Sequence, residues 1–236
     1  MKLSVKDAAS LLKVSEDVLH RWVKAGVLPA YRINEEYRFN RSELLEWAIS
    51  RQMDISGDVF GDGRPARTAQ SSLADALEAG DVLYAVEGED KAAVLRGIID
   101  VLTLPEEVDR EFLYQVLLAR EALGSTGIGG GIAIPHVRNP VILHLEQPAV
   151  TICFLKRPID FQAIDGQPVH TLFLLITPTI RAHLHLLSRL GFVLRDKEVR
   201  AALGRQAPRE ELLELLARAE AALAPPASPV PDGARE

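Results

Sequence analysis

One cysteine in 236 residues, Cys153, leaves no partner for a disulfide within the chain. It stands inside the apolar run "TICFL", where a thiol behaves as a small hydrophobe, so a buried filler is expected. No apolar stretch approaches the roughly 18 residues of a membrane span. The opening "MKLSVKDAAS" turns polar too early for a secretory signal, and a cytosolic protein is the simplest expectation. Internal repeats are absent. Neither sign of charge dominates: residues 1–55 hold nine basic and eight acidic side chains, the remainder 18 and 25, for a net charge of −6. That balance weighs against a chain whose whole surface binds nucleic acid. What is present is an ordinary globular composition, 47% hydrophobic and 25% charged. At roughly 150 residues per domain, the length suits one large domain or a small and a medium one.

In "SVKDAASLLKVSEDVLHRWVKAGVLP" apolar residues recur twice at helical spacing. Ser4 caps a first helix, with Asp7 reaching back as a capping box, and Ala8, Ala9, Leu11 and Leu12 form its apolar face. Ser15 caps a second helix that turns Val18, Leu19, Trp22 and Val23 inward. Gly26 supplies a left-handed stop and Pro29 prevents resumption. "AYRINEEYRF" reads as two short strands around Asn34-Glu35-Glu36. "NRSELLEWAISRQ" reads as a helix capped by Asn40 or Ser42, with Leu44, Leu45, Trp47 and Ala48 inward. The expected units are a head over 1–52, a Gly-, Asp- and Pro-rich linker over 53–70, a body over 71–222 and a disordered Pro-rich tail over 223–236. In the body, "SSLADALEAG", "KAAVLRGIIDVLTL" and "DREFLYQVLLAREAL" read as helices, with "DVLYAV" a strand between the first two. "GIAIP", "AVTICFLK" and "PVHTLFLLITP" read as strands before two closing helices. Helices on either side of the strands in sequence predict an α/β fold, a mixed β-sheet with helices on both faces.

On the second helix of the head, the solvent side includes Ser15, Glu16, His20, Arg21 and Lys24. A helix laid in the DNA major groove brings such side chains to phosphates and base edges. Ser15 suits a phosphate, Arg21 and Lys24 a phosphate or guanine, and Arg32 and Arg38 stand on a wing followed by Arg41. The match "SVKDAASLLKVSEDVLHRWVKAGVLPAYR…YRFNRSELLEW" is similar to the excisionase-like, MerR-related winged helix–turn–helix over about fifty residues. The resemblance implies DNA binding, and such units often work on two half-sites, which makes a homodimer a natural arrangement. Glu35 and Glu36 depart from the basic wing of that family and oppose phosphate. The competing reading is a docking module that keeps the shape without the DNA.

The stretch "STGIGGGIAIPH", residues 125–136, concentrates glycine ahead of one histidine. Glycine lets backbone amides approach a ligand and tolerates positive φ, and successive exposed amides form an anion nest. The Lys-Ser/Thr pair of a nucleotide P-loop is missing, which excludes ATP as the expected ligand. His136 closes a short apolar strand, with Pro135 fixing its entry. An imidazole of ordinary pKa, about 6.5, is largely neutral at cytosolic pH and can accept a phosphoryl group as a phosphoramidate. Catalysis then lies in positioning and in stabilising charge on the equatorial oxygens. The groups at hand are Ser125, Thr126, the amides of Gly129, Gly130 and Gly131, and Arg120.

"AREALGSTGIGGGIAIPH", then "FLKRPIDFQAIDGQPVHTLFLLITP" and "HLHLLSRL", resemble the enzyme IIA domain of the fructose–mannitol class of the bacterial phosphotransferase system, nitrogen-regulatory branch, over about 71–222. The resemblance implies a phosphocarrier taking phosphate from a histidine-bearing (HPr-like) carrier protein onto His136, without a cofactor. It assigns the family's arginine to Arg120 and its second histidine to His183, which would bond the phosphoryl group or orient the imidazole. "VRNPVIL" and His185 depart from the family and bear on the partner and the downstream acceptor. Two other classes compete. One is a transcription regulator whose larger domain only senses or dimerises. The other is a metal-dependent hydrolase drawing on His183, His185 and either His136 or His170. Spacing of two on a helix splays His183 from His185, and no cysteine or carboxylate pattern supports zinc, so no metal is expected. His170 reads as a core or strand-edge residue, His20 and His144 as surface positions, and Asp165-Gly166 as a tight turn.

Overall fold

The structure, a computed structural model, describes residues 2–33, 36–51, 53, 71–106, 108–137 and 147–223. The Asn34-Glu35 turn, linker residues 54–70, His144, most of "VRNPVIL" and tail residues 224–236 lie outside them, as do the side chains of Arg32 and Ser42.

The head runs β1 (Lys2–Leu3), α1 (Val5–Leu11), α2 (Glu16–Lys24), β2 (Tyr31–Ile33), β3 (Glu36–Asn40) and α3 (Arg41–Ser50). Ser4 starts α1 as the sequence requires. Its hydroxyl accepts the Asp7 amide at 3.2 Å and donates to the Asp7 carboxylate at 2.7 Å, and its amide donates to the same carboxylate at 3.1 Å; the hydroxyl first, then the amide, hold the Asp7 carboxyl below the usual range. Ser15 accepts the Val18 amide at 3.4 Å to cap α2, which ends at Gly26 with φ +69°. β3 is the middle strand of an antiparallel sheet ordered β1-β3-β2. Glu36, expected in the turn, pairs with Ile33 in the ladder. Leu44, Leu45 and Ala48 of α3 are buried in the head, and Trp47 is tilted on Trp22 at 5.3 Å.

The body continues α4 (Leu73–Glu78), β4 (Val82–Val86), α5 (Lys91–Val101), α6 (Arg110–Ala122), β5 (Gly127–Gly129), β6 (Ile132–Ala133), β7 (Ala149–Ile159), β8 (Val169–Ile176), α7 (Ile180–Val193), α8 (Lys197–Gly204) and α9 (Arg209–Ala221). The sheet order is β4-β7-β8-β6-β5. β4 with β7 and β6 with β8 are parallel, whereas β7 with β8 and β5 with β6 are antiparallel. The sheet is therefore mixed, as expected. Its central strands are apolar on both faces because each face carries helices. β7 sends Val150, Ile152 and Phe154 into the core closed by α4, α7, α8 and α9, and Cys153 and Leu155 into the core closed by α5 and α6. β8 repeats the alternation with Phe173 and Leu175 against Leu172 and Leu174. Cys153 is fully buried, and burial pushes its thiol up, which leaves it the inert filler expected. Among the described residues no helix is long and apolar enough to cross a membrane.

β5 is the element least visible in the sequence, because glycine has little intrinsic preference for a strand. Close approach selects glycine there: a Cβ on Gly127 would lie 2.7 Å from the Ala163 methyl. Head and body meet where α3 packs against α7 and β5.

Candidate functional site

α6 delivers Arg120 and Glu121 from its last turn. Asp109 caps the helix start by accepting the Phe112 amide at 2.9 Å. The two neighbours then point to different tasks. Arg120, 8% exposed, donates from Nε to His136 Nε2 at 3.2 Å and from a terminal nitrogen to the Gly124 carbonyl at 2.9 Å. Glu121 is buried and accepts the Thr126 hydroxyl at 2.7 Å, the Thr126 amide at 3.1 Å and the Lys91 ammonium at 2.9 Å. Glu121 and Lys91 thereby clamp the turn between α6 and β5. Sequence reading missed both, since each looked like an ordinary charge on a helix surface.

His136 follows β6 and bridges to Leu175 in parallel register. Its ring is 3% exposed. Nδ1 lies 2.7 Å from the Ile134 carbonyl. A carbonyl only accepts, so Nδ1 carries the proton and the lone pair sits on Nε2, the nitrogen that faces Arg120. His183, in the first turn of α7 behind the Thr179 cap, places its ring 5.0 Å from that of His136, centroid to centroid, at 42°. Arg120, His136 and His183 are thus brought together from three separate elements.

Ser125 and Thr126 line the same pocket, with their hydroxyl protons already committed. Ser125 donates to the Phe161 carbonyl at 2.5 Å and accepts the Gly127 amide at 3.0 Å. Gly129 ends β5 and Gly130 and Gly131 form the hairpin turn; all three lie outside the pocket lining, with φ between +63° and +86°. The Gly130 amide donates to Asp165 at 2.7 Å, and Asp165 also accepts the Gln167 amide at 3.1 Å. Those amides hold its carboxyl below the usual range. A Cβ on Gly130 would meet Arg200 at 2.5 Å, and one on Gly131 would meet the His170 ring at 2.3 Å. These contacts build a tightly packed hairpin, where the sequence suggested an open cradle of amides for an anion. The expected Asp165-Gly166 turn is present, with Gly166 at φ +69°, and it pins that hairpin.

His185 faces elsewhere. Its Nε2 accepts from Arg189 Nε at 3.0 Å; Arg189 pairs with Glu220 at 2.7 Å, and Glu220 accepts the amides of Leu73 and Ala74 that open α4. Burial first, then Arg189, pushes His185 down to about 4. A depressed histidine resists protonation in the fold while the unfolded chain takes a proton near 6.5. Its contribution is therefore intact above pH 6.5 and lost as pH falls toward 4. His185→Gln keeps an acceptor for Arg189 and should remove about 2 kcal/mol of acid destabilisation over that window. Urea titrations at matched pH check this, and equal pH slopes in the two proteins would contradict it. His170 is half-buried on β8, with Nδ1 2.8 Å from the Thr171 hydroxyl. Among the described residues, no three His, Cys, Asp or Glu side chains gather as metal ligands.

In the head, Arg21 and Lys24 are exposed on α2. Ser15 is occupied as a cap, and His20 rests on Tyr37 at 5.8 Å. Arg38 pairs with Glu36 at 2.7 Å, so one of the wing acids neutralises a wing base directly. Arg41 is half-buried at the start of α3.

Residues 76–219 match the family described as "Phosphoenolpyruvate-dependent sugar phosphotransferase system, EIIA 2", and residues 3–52 match a helix–turn–helix domain. The nitrogen regulatory protein of Pseudomonas aeruginosa is 40% identical over 145 residues, which is 60% of this chain and 91% of that protein. That of Escherichia coli is 38% identical over 125 residues, 50% of this chain and 71% of that protein. Among solved structures, nitrogen regulatory protein IIA-Ntr from Neisseria meningitidis superposes with a TM-score of 0.53 at 30% identity, covering 61% of this chain and 98% of its own.

Proposed function

The chain belongs to the EIIA type 2 family of the phosphoenolpyruvate-dependent sugar phosphotransferase system, and from that premise we propose that it carries a phosphoryl group on Nε2 of His136. The observation that carries the reading is the pair of contacts on that ring, Ile134 on Nδ1 and Arg120 on Nε2. In the transfer, the N–P bond of a phosphorylated histidine on a carrier protein breaks, the electron pair returns to that imidazole, and a bond forms from His136 Nε2 to phosphorus. No proton has to leave Nε2, because the proton of the ring stays on Nδ1 with the Ile134 carbonyl. Arg120 moves from the lone pair to the phosphoryl oxygens, where a fixed cation stabilises the spread charge. His183 lies near enough to bond the same oxygens or to steady the ring.

The head, on this proposal, binds DNA through Arg21 and Lys24, so that the phosphoryl state of His136 is reported in transcription. The full chain is incubated with phosphoenolpyruvate and the general phosphotransferase carriers, and its binding to duplex DNA is then followed against salt. Acid-labile, base-stable label is expected on the wild type and none on His136→Ala. Each phosphate contact contributes about −0.9 to the log–log salt slope, so removing Arg21 and Lys24 together should flatten it by about 2. Label retained in His136→Ala would move the acceptor to another histidine, and a slope near zero in the wild type would leave the head a docking module.

A further inference from the structure

We propose that the surface around His136 is an interaction face for this chain's own head, with α3 as a lid over the phosphoryl site, so that lid closure and phosphorylation exclude each other. The inference rests on the phosphocarrier reading and adds its regulation.

The contact is reciprocal. Ile49 of α3 is 5% exposed, yet it belongs to the body's core, with Ile128, Ile134 and Leu187, and not to the head's. Leu184 of α7 makes the opposite exchange, burying itself among Phe39, Leu45 and Ala48 of the head. Gly191, two turns along α7, leaves the hollow that Ile49 fills: a Cβ there would stand 2.9 Å from Ile49 Cγ1. Leu184 immediately follows His183, so the helix that presents the second histidine also holds the lid.

Size and charge then make the two states incompatible. Ile49 completes the wall of the pocket that contains Arg120 and His136, and the space left inside is about 20 Å³, room for about one water molecule. A PO₃ group does not fit, and placing a multiply charged anion against the Ile49 hydrocarbon carries a large desolvation cost. Phosphorylation therefore requires Ile49 to leave, as does the approach of a donor histidine to Nε2. By linkage, whatever factor the closed head takes from phosphorylation, the phosphoryl group takes from closure. Arg21 and Lys24 stay exposed with the head docked, so the lid uses α3 and leaves α2 available.

The test compares full-length wild type with Gly191→Gln, which fills the hollow from the body side, and Ile49→Asp, which alters the lid outside the head's own core. Diethylpyrocarbonate reports ring access independently of phosphorylation, with His136 carbethoxylation read by peptide mass spectrometry; label uptake from the phosphorylated carrier is timed in parallel. Both variants should raise His136 modification and the rate of uptake by about tenfold or more, since each scales with the open fraction. In addition, the phosphorylated wild type should give faster proteolytic separation of head from body than the unmodified chain. His136 equally protected in all three proteins, or equal uptake rates despite unequal protection, would overturn the lid. Protection lost without label on any protein would instead overturn the phosphocarrier reading, because the ring would then be open and still inert.

Discussion

Replacing Arg120 by Gln lowers the rate of phosphoryl uptake by about 10²- to 10³-fold, with the folded state retained. The magnitude is that of removing one preorganised donor aimed at developing charge. Arg120 is buried, its Nε is 3.2 Å from the accepting nitrogen, and the Gly124 carbonyl fixes its far end. A guanidinium so tethered needs little reorganisation when charge spreads over three oxygens. Arg120→Lys should recover only part of the loss, since an ammonium is a point charge and cannot hold both contacts at once. Rapid-quench label uptake measures the effect, with thermal melting to separate it from unfolding. An unchanged rate in the Gln variant would reduce Arg120 to a brace for the Gly124 turn.

Glu121→Ala destabilises the body by about 3–5 kcal/mol, the usual result of removing one partner from a buried ion pair. The Lys91 ammonium loses its counter-charge, and the Thr126 amide and hydroxyl lose their acceptor together. Lys91 retains the Gln162 side chain at 3.2 Å and the face of Phe161 at 5.1 Å, so Glu121→Gln should cost less than Glu121→Ala. Adding Lys91→Met to Glu121→Ala should return part of the loss by removing the unmatched charge. Urea unfolding of the three variants settles the order. A cost below about 1 kcal/mol for Glu121→Ala would mean that water replaces the network freely.

The difference between Arg120 and Glu121 shows how far the sequence could be read. Arg120, His136 and His183 each end or open a local motif, so the sequence singled them out before their positions were known. The clamp was not, because Lys91 and Glu121 stand thirty residues apart on different helices, and no local pattern distinguishes such a pair from two solvated charges. The two faces of the sheet were legible from the continuous apolar runs of β7 and β8. β5 and the two-residue β1 were not: one is built from glycine, and the other is too short to show a period of two. The four glycines of residues 125–136 suggested an anion cradle, since an exposed amide and a close backbone contact select the same residue; here Ala163, His170 and the positive φ of residues 129–131 account for much of the choice. Ile49 did carry a signal. It lies one turn beyond Leu45 and, with Trp47 at the opposite edge, widens the apolar stripe of Leu44, Leu45 and Ala48 to about 200° of the helix, broader than one packing partner covers.

The chemistry turns on which nitrogen of His136 holds the proton. Phosphorus–nitrogen coupling in the ¹⁵N-labelled full chain, phosphorylated through the general carriers, reads this directly. Phosphorus on Nε2 of His136, with Nδ1 still protonated, is the predicted result. Phosphorus on Nδ1, or on any other imidazole, would contradict it, since the Ile134 carbonyl could not then have set the tautomer that accepts the group.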